Sequence, residues 1–337
     1  MTGSASAEAS PRPALFVMWT ANSTRSEGLT RALGAELMSS PWSHPRQPKG
    51  VKIAGWVRSA LLTLRRVRRV PSGGLVVVMA PPVLAPLVCQ LCRRRGVALA
   101  IDMHSGALDD PKWRWSFPLM RRLLRRSDAV IVTTPEVLRG VVLPQTEVLT
   151  IVDPTLAAKG LPASGSGRRE TRSPNRSREY VLFPASGEID EPIEAVAEAA
   201  AVLGGEVDVV VTGRQPARLA GTALKLTGFV SKEEYRDLLE GAALVLALTT
   251  REATNQRAAC EALQSMRPLV CSATRMLQET YRGAAVFTAP DRDAIAAAIR
   301  EGLARREELR SGIPAVVSRL RSQASAGVER LLAIQPR

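Results

Sequence analysis

The fold is decided by residues 226–287, LTGFVSKEEYRDLLEGAALVLALTTREATNQRAACEALQSMRPLVCSATRMLQETYRGAAVF. Within it, residues 244–248, LVLAL, form a continuous apolar run, short enough for a strand buried on both faces. The run stops at Thr249-Thr250-Arg251-Glu252, and residues 256–265 then read as a helix closed by Arg267-Pro268. A second buried strand follows at 269–272, a helix at 276–281 and a short strand at 284–287. Strand, loop and helix repeated in this order predict a parallel sheet, because parallel neighbours need a crossover connection.

The same alternation continues outward in both directions. YVLFPA at 180–185 opens a strand, Asp190-Glu191-Pro192 begins a helix running to Leu203, and VDVVVTG at 207–213 gives the next strand. Upstream, residues 14–18, 75–79, 97–101 and 129–132 read as buried strands, with helices at 28–37 and 86–95. Residues 161–178, LPASGSGRRETRSPNRSR, are rich in Gly, Ser, Pro and Arg without periodicity, which marks a linker. The expected organisation is α/β, with 1–160 as one parallel-sheet domain, 161–178 as the linker and 179–337 as a second such domain. At 337 residues the chain is long enough for two cores of ordinary size.

In open parallel sheets ligands sit outside the carboxyl ends of the strands, and the amides opening the next helix favour phosphate. Thr249, Thr250 and Arg251 follow one such strand, and Arg214 follows another just past Gly213, so these are candidate diphosphate ligands. Glu261 lies among Ala258, Ala259, Cys260, Ala262 and Leu263, where a carboxylate needs a partner or the hydroxyls of a ligand. A ribose diol would serve. In the first half, Asp102 and His104 emerge together beyond the strand at 97–101. Such a carboxylate and imidazole are suited to deprotonating an acceptor hydroxyl or holding donor-sugar oxygens. Asp109 and Asp110 are further candidates for the base, and Trp19 with Arg25 follows the first strand.

The segment Glu261-Ala262-Leu263 with Arg267-Pro268-Leu269-Val270 resembles the donor half of GT-B glycosyltransferases, particularly the large retaining family whose nucleotide-sugar domain is C-terminal. In that family a Glu, seven residues and a second Glu flank a Gly-rich turn. The resemblance implies two Rossmann-like parallel-sheet domains facing a cleft, a ribose contact for Glu261 and a donor-sugar contact for Glu252. Here Glu252 precedes Glu261 by nine positions (261 − 252 = 9) where the family has eight, and Ala253-Thr254-Asn255-Gln256 replaces the Gly-rich turn. Asp102-Met103-His104, with Pro81-Pro82 after the preceding strand, resembles the Asp-x-His loop of mannosyltransferases that build lipid-linked oligosaccharides. The expectation is a glycosyltransferase that moves a hexose from a nucleotide-sugar donor to a lipid-linked or polysaccharide acceptor. Two alternatives are a GT-B-like nucleotide-sugar epimerase and a non-catalytic basic protein that binds membrane or nucleic acid.

Several chemistries lack their signatures. There is no GxGxxG after the first strand and no GxxxxGK[ST]. No Asp-x-Asp stands at a strand end, so the diphosphate is expected to rest on helix amides and cations such as Arg214 and Arg251, with no metal or other cofactor required. Cys89-Gln90-Leu91-Cys92 sits within an apolar helical pattern, and the chain has only two His, so this pair reads as helix packing rather than a metal site.

Charge is lopsided. Residues 1–160 hold 22 Lys+Arg against 10 Asp+Glu, and residues 161–337 hold 24 against 22, giving +12 and +2, the total of +14. Two segments concentrate it. Residues 51–70 place Ile53, Val57, Leu61, Leu64 and Val67 on one helical stripe, with Arg65, Arg66, Arg68 and Arg69 at its end. Residues 112–127 interleave Trp113, Trp115 and Phe117 with five Arg. Aromatics beside Arg fit an anionic membrane surface, and no nucleic-acid motif is present, so no nucleic-acid partner is expected. No apolar run approaches the roughly 20 residues of a bilayer span, and residues 1–13 lack the apolar core of a secretory signal. The expected location is the cytoplasm, peripheral on the inner membrane face.

Overall fold

The structure is a computed structural model that describes residues 12–20, 23–40, 49–103, 111–138, 140–157 and 178–337. His104, Asp109, Asp110 and nearly all of the expected linker lie outside the described residues. The chain divides into two compact units, Met1–Lys159 with Arg321–Arg337, and Gly160–Leu320. This differs from the sequence-based division at the C-terminus, where 321–337 belongs to the first unit.

In the first unit the described strands are β1 (Ala14–Met18), β2 (Glu36–Ser39), β3 (Leu75–Val78), β4 (Ala98–Asp102), β5 (Ala129–Val132) and β6 (Glu147–Thr150). They form one sheet in the order β2-β1-β3-β4-β5-β6, with every pairing parallel. The helices are α1 (Thr24–Leu33), α2 (Lys49–Val67), α3 (Leu84–Cys92) and α4 (Phe117–Arg126). The helix expected over 28–37 starts and stops earlier. Ser23 and Ser26 form a reciprocal capping box at its start, and Gly34 in the left-handed region at φ 59° ends it, freeing residues 36–39 to become β2.

Trp19 is buried in this unit, and its Nε1 donates to Thr63 Oγ1 of α2 at 2.9 Å. From the sequence it was a further candidate for the cleft, just beyond the first strand. A large indole with a satisfied N–H serves better as core, and that is where it lies.

Asp128 ties the C-terminal segment to this sheet. Its carboxylate accepts from Leu99 N at 2.8 Å and from Arg337 N at 3.0 Å, and it pairs with Arg93. Arg330 also reaches Glu147 of β6, and Arg12 donates to the carbonyls of Leu332 and Ile334. The last residues of the chain therefore complete the first unit.

In the second unit the strands are β7 (Tyr180–Ala185), β8 (Asp208–Gly213), β9 (Lys225–Gly228), β10 (Leu244–Ala247), β11 (Leu269–Ser272) and β12 (Ala285–Thr288). The helices are α5 (Ile193–Val202), α6 (Lys232–Gly241), α7 (Arg257–Gln264), α8 (Arg275–Tyr281), α9 (Arg292–Ala304) and α10 (Arg306–Ala333), the last passing into the first unit at Arg321. The sheet order is β12-β11-β10-β7-β8-β9, again all parallel. Its core is aliphatic, built from Val181, Phe183, Val209, Val211, Leu244, Leu246 and Val270 against Val196, Ile295 and Ile299 of the covering helices. The strand order reverses between β7 and β10, the position beyond whose carboxyl ends open parallel sheets bind their ligands.

Removing the Asp128 side chain leaves Leu99 N, Arg93 and Arg337 without their shared acceptor. Asp128→Ala is expected to lower stability by about 3–5 kcal/mol, the usual cost of breaking a buried ion pair, seen as a fall in the urea midpoint without a change in slope.

Candidate functional site

The reversal point between β7 and β10 is where the second unit gathers its polar groups. After β7 the chain turns through Ser186 and Gly187, the latter at φ 79°, before reaching Asp190 and Glu191. The Glu191 carboxylate folds back onto that turn. It accepts from Ser186 N at 3.0 Å, Ser186 Oγ at 2.6 Å and Gly187 N at 2.8 Å. Amides of this kind readily donate to a phosphate, but here a carboxylate of the same loop already occupies them.

Asp190 reaches across to the loop after β10. It accepts from Thr249 Oγ1 at 2.6 Å, its backbone carbonyl accepts from Thr250 N at 2.8 Å, and its Oδ1 lies 3.5 Å from Arg251 Nη1. Thr249 N donates in turn to Ser272 Oγ at 2.8 Å, and Thr249 Oγ1 accepts from Arg251 N at 3.1 Å. Thr249 is thus buried and fully used as a strut within the loop. Thr250 and Arg251 are the members of the expected trio that stay accessible.

Arg214 follows β8 on the same edge. Gly213 precedes it at φ 90°, and a Cβ at that position would lie 1.9 Å from Ala185 O, so only glycine lets β8 end here. The Arg214 side chain then lies across Gly187, where a Cβ would come within 2.7 Å of its Cδ. Arg214 is exposed, with no ion pair among the described residues.

The two helices that follow differ at their starts. Helix α8 is capped by Thr274, and Glu252 Oε1 accepts from its first amide, Arg275 N, at 2.7 Å. Glu252 thus serves a helix start in this structure. Helix α7 has Gln256 at its N-cap with no side-chain cap, because Gln256 Nε2 donates instead to Leu248 O at 3.1 Å. Ala259 N donates to Gln256 O at 3.0 Å, and the amides of Arg257 and Ala258, which have no acceptor among the described residues, remain for an anion from outside. In the loop that leads into α7, Asn255 Oδ1 accepts from the buried Tyr281 OH at 2.6 Å, while Thr254 Oγ1 is buried without a partner among the described residues.

Glu261 is half-buried on α7. Tyr235 OH of α6 donates to Oε2 at 2.7 Å, and Arg257 Nε donates to Oε1 at 2.5 Å one turn earlier. Burial, and then the adjacent Glu261 carboxylate, push the Tyr235 phenol up, so it stays a donor. Each carboxylate oxygen keeps a further lone pair, which leaves room for two hydroxyl donors such as a vicinal diol. Tyr235, Asp190 and Glu191 were not singled out as site residues from the sequence. Asp190 and Glu191 carried a signal, two acids between a strand and a helix, whereas Tyr235 lies 26 residues from its partner and carried none.

In the first unit Asp102 is buried at the end of β4 and clamped by Arg25 of α1, with Arg25 Nη2 to Oδ1 at 2.8 Å and Nε to Oδ2 at 3.1 Å. Arg25 Nη1 also donates to Ile151 O at 2.9 Å. Asp102 therefore locks strand to helix, and Arg25 is held by it rather than presented to a ligand. Cys89 and Cys92 lie on α3, Cys89 buried, and no metal-binding group of three or more His, Cys, Asp or Glu exists among the described residues.

No protein-family model and no curated protein matches the chain. Solved structures do. E. coli trehalose-6-phosphate synthase bound with UDP-2-fluoro glucose matches with TM-score 0.69 at 12% identity, covering 96% of this chain and 100% of that one. Sucrose-phosphate synthase from Thermosynechococcus elongatus matches with TM-score 0.66 at 15% identity over 96% of each chain. HepE of Anabaena in complex with UDP matches with TM-score 0.65 at 14% identity, covering 95% of this chain and 99% of that one.

Arg25→Met strands the Asp102 charge in the core. It is expected to cost about 3–5 kcal/mol by urea denaturation, whereas a ligand-facing Arg would be neutral to stability. The similarity to these structures extends over both six-stranded parallel sheets, and the chain has the GT-B fold of glycosyltransferases.

Proposed function

We propose that the chain is a glycosyltransferase that takes a sugar from a nucleoside-diphosphate donor held at the reversal point of the second unit. The observation that carries this reading is the uncapped start of α7 at that point, on the edge that also bears the exposed Arg214, which has no ion pair among the described residues. Helix amides and guanidinium groups together bind phosphate oxygens well. In the proposal, Arg214, Thr250 and Arg251 receive the diphosphate, and Glu261, oriented by Tyr235 and Arg257, receives the ribose hydroxyls. Thr249 acts by holding that loop in place through Asp190. Glu252, seated on α8 through Oε1, has Oε2 for a donor-sugar hydroxyl in the proposal. The neighbours solved with UDP and UDP-2-fluoro glucose support a uridine-type donor.

As a charged leaving group forms, the sugar–phosphate bond breaks and negative charge builds on the diphosphate. Fixed cations and helix amides stabilise that charge with little reorganisation, so no metal is needed in the proposal. The acceptor is read as a lipid-linked or polysaccharide hydroxyl, supported by the basic first half of the sequence, with an anionic membrane surface as its setting. His104, two positions beyond the locked Asp102, is the side chain proposed to take the acceptor proton.

Calorimetry with UDP and GDP tests the donor reading. Arg214→Ala and Glu261→Ala are each expected to weaken binding by about ten- to a hundred-fold, the range for a hydrogen bond to a charged group. Unchanged affinity in both variants, or no nucleotide binding by the parent protein, would overturn it. Activity that survives exhaustive chelation with EDTA is expected as well, and its loss on chelation with restoration by added divalent ion would refute the metal-free scheme. A UDP-sugar converted to its epimer without acceptor would point to the epimerase instead.

A further inference from the structure

Helix α2 presents its residues in the reverse of the usual sense. The stripe it buries is Gly55, Ser59, Thr63 and Val67. Its hydroxyls are satisfied inside the unit: Ser59 Oγ donates to Gly55 O at 2.8 Å and lies 2.6 Å from Ser40 Oγ, and Thr63 Oγ1 donates to Ser59 O at 2.8 Å. The stripe it exposes is aliphatic, with Ile53, Val57 and Leu61 each 54–57% accessible, and Val51 in the first turn is exposed as well. A helix that merely covers a sheet turns its aliphatic stripe inward and its polar face to water. Here small hydroxyl residues do the inward packing, which leaves the branched side chains of Ile53, Val57 and Leu61 exposed.

The neighbouring helices extend this ridge. Helix α3 packs against both α2 and α4, and carries the exposed Leu91. Trp115, in the turn before α4, is 73% exposed, and Leu119 of α4 is exposed beside it. The surroundings are basic throughout. No Asp or Glu occurs between Glu36 and Asp102, nor in residues 111–127, while Arg65, Arg68 and Arg69 at the end of α2 and Arg121 and Arg122 on α4 are exposed. An exposed apolar stripe of this size marks an interaction site, and its fringe states the charge of the occupant.

We propose that the face formed by α2, α3 and α4 docks on a bilayer containing anionic lipids, with the α2 stripe and Trp115 entering the headgroup region and the Arg side chains on lipid phosphates. A second copy of the chain would set Arg against Arg, and nucleic acid offers no site for an aliphatic stripe; a bilayer interface satisfies both halves of the face. Helix α2 runs back against the parallel strands, so its first turn, with Val51 and Ile53, lies at the sheet edge where Asp102 ends β4. A lipid-borne acceptor would then arrive at that edge, an extension that rests on the proposed glycosyl transfer, whereas the docking itself does not.

The test is flotation of the full chain with vesicles of phosphatidylcholine alone and of phosphatidylcholine mixed with phosphatidylglycerol, in low and high salt. Binding to the mixed vesicles only, weakened by salt, is expected. Ile53→Ser/Val57→Ser/Leu61→Ser should lower the partition coefficient by about ten-fold or more while leaving the thermal midpoint and UDP affinity as in the parent. Arg65→Gln/Arg68→Gln/Arg69→Gln should reduce the preference for the anionic vesicles. Failure of the parent protein to bind, equal binding by the aliphatic variant, or a stripe-dependent dimer in sedimentation would overturn the proposal. Vesicle binding that persists without any nucleotide binding would refute the donor reading and leave the docking face standing.

Discussion

The carboxylate pair Asp190-Glu191 is the constraint on which the second unit's site depends. A parallel sheet whose strand order reverses leaves two adjacent strands with their following loops diverging, and something must fix the loops beside that gap. Glu191 fixes the turn after β7 by occupying its amides, and Asp190 fixes the loop after β10 through Thr249, Thr250 and Arg251. The same step decides where an anion can bind. The β7 turn is closed by its own carboxylate, so the edge offers the first amides of α7, the accessible Thr250 and Arg251, and the guanidinium of Arg214, which has no ion pair among the described residues.

The first unit uses buried charge differently. Asp102 and Asp128 each sit at one end of a central strand pair and accept from several donors at once, with an Arg supplying the balancing charge. A buried pair of this kind adds little net stability compared with an apolar replacement, but it specifies which helix and which chain terminus belong there. Asp128 does this for the C-terminal residues, and Asp102 for α1. The hydroxyl-lined inner face of α2 is a further case: it makes a close seat for the Trp19 indole N–H and leaves the aliphatic residues outside.

Much of the architecture was legible because the strands are short, apolar and bounded by turn residues. Residues 14–18, 129–132, 180–185 and 269–272 match β1, β5, β7 and β11 as read, and the parallel arrangement follows from their spacing. The strands not read were β2, β6 and β9, which lie at or next to sheet edges and carry mixed sequences such as ELMS, EVLT and KLTG. One-sided burial removes the continuous apolar signal. Of the site, Glu261 was legible as a carboxylate in need of partners, but which partners it has was not. Tyr235 is brought to it only by the packing of α6 beside α7.

The sequence by itself determined the fold class, since apolar periodicity and turn chemistry are local properties of adjacent residues. It also determined the uneven charge and the types of side chain at the strand ends. Tertiary structure alone decided which of those side chains remain available. Thr249, Asp102 and Glu252 stand at positions that suit ligands, yet each is engaged by a group distant in sequence, Asp190, Arg25 or Arg275 N. A buried or half-buried polar atom takes whichever partner packing brings within reach, and that partner is fixed by strand order and helix placement rather than by neighbouring letters.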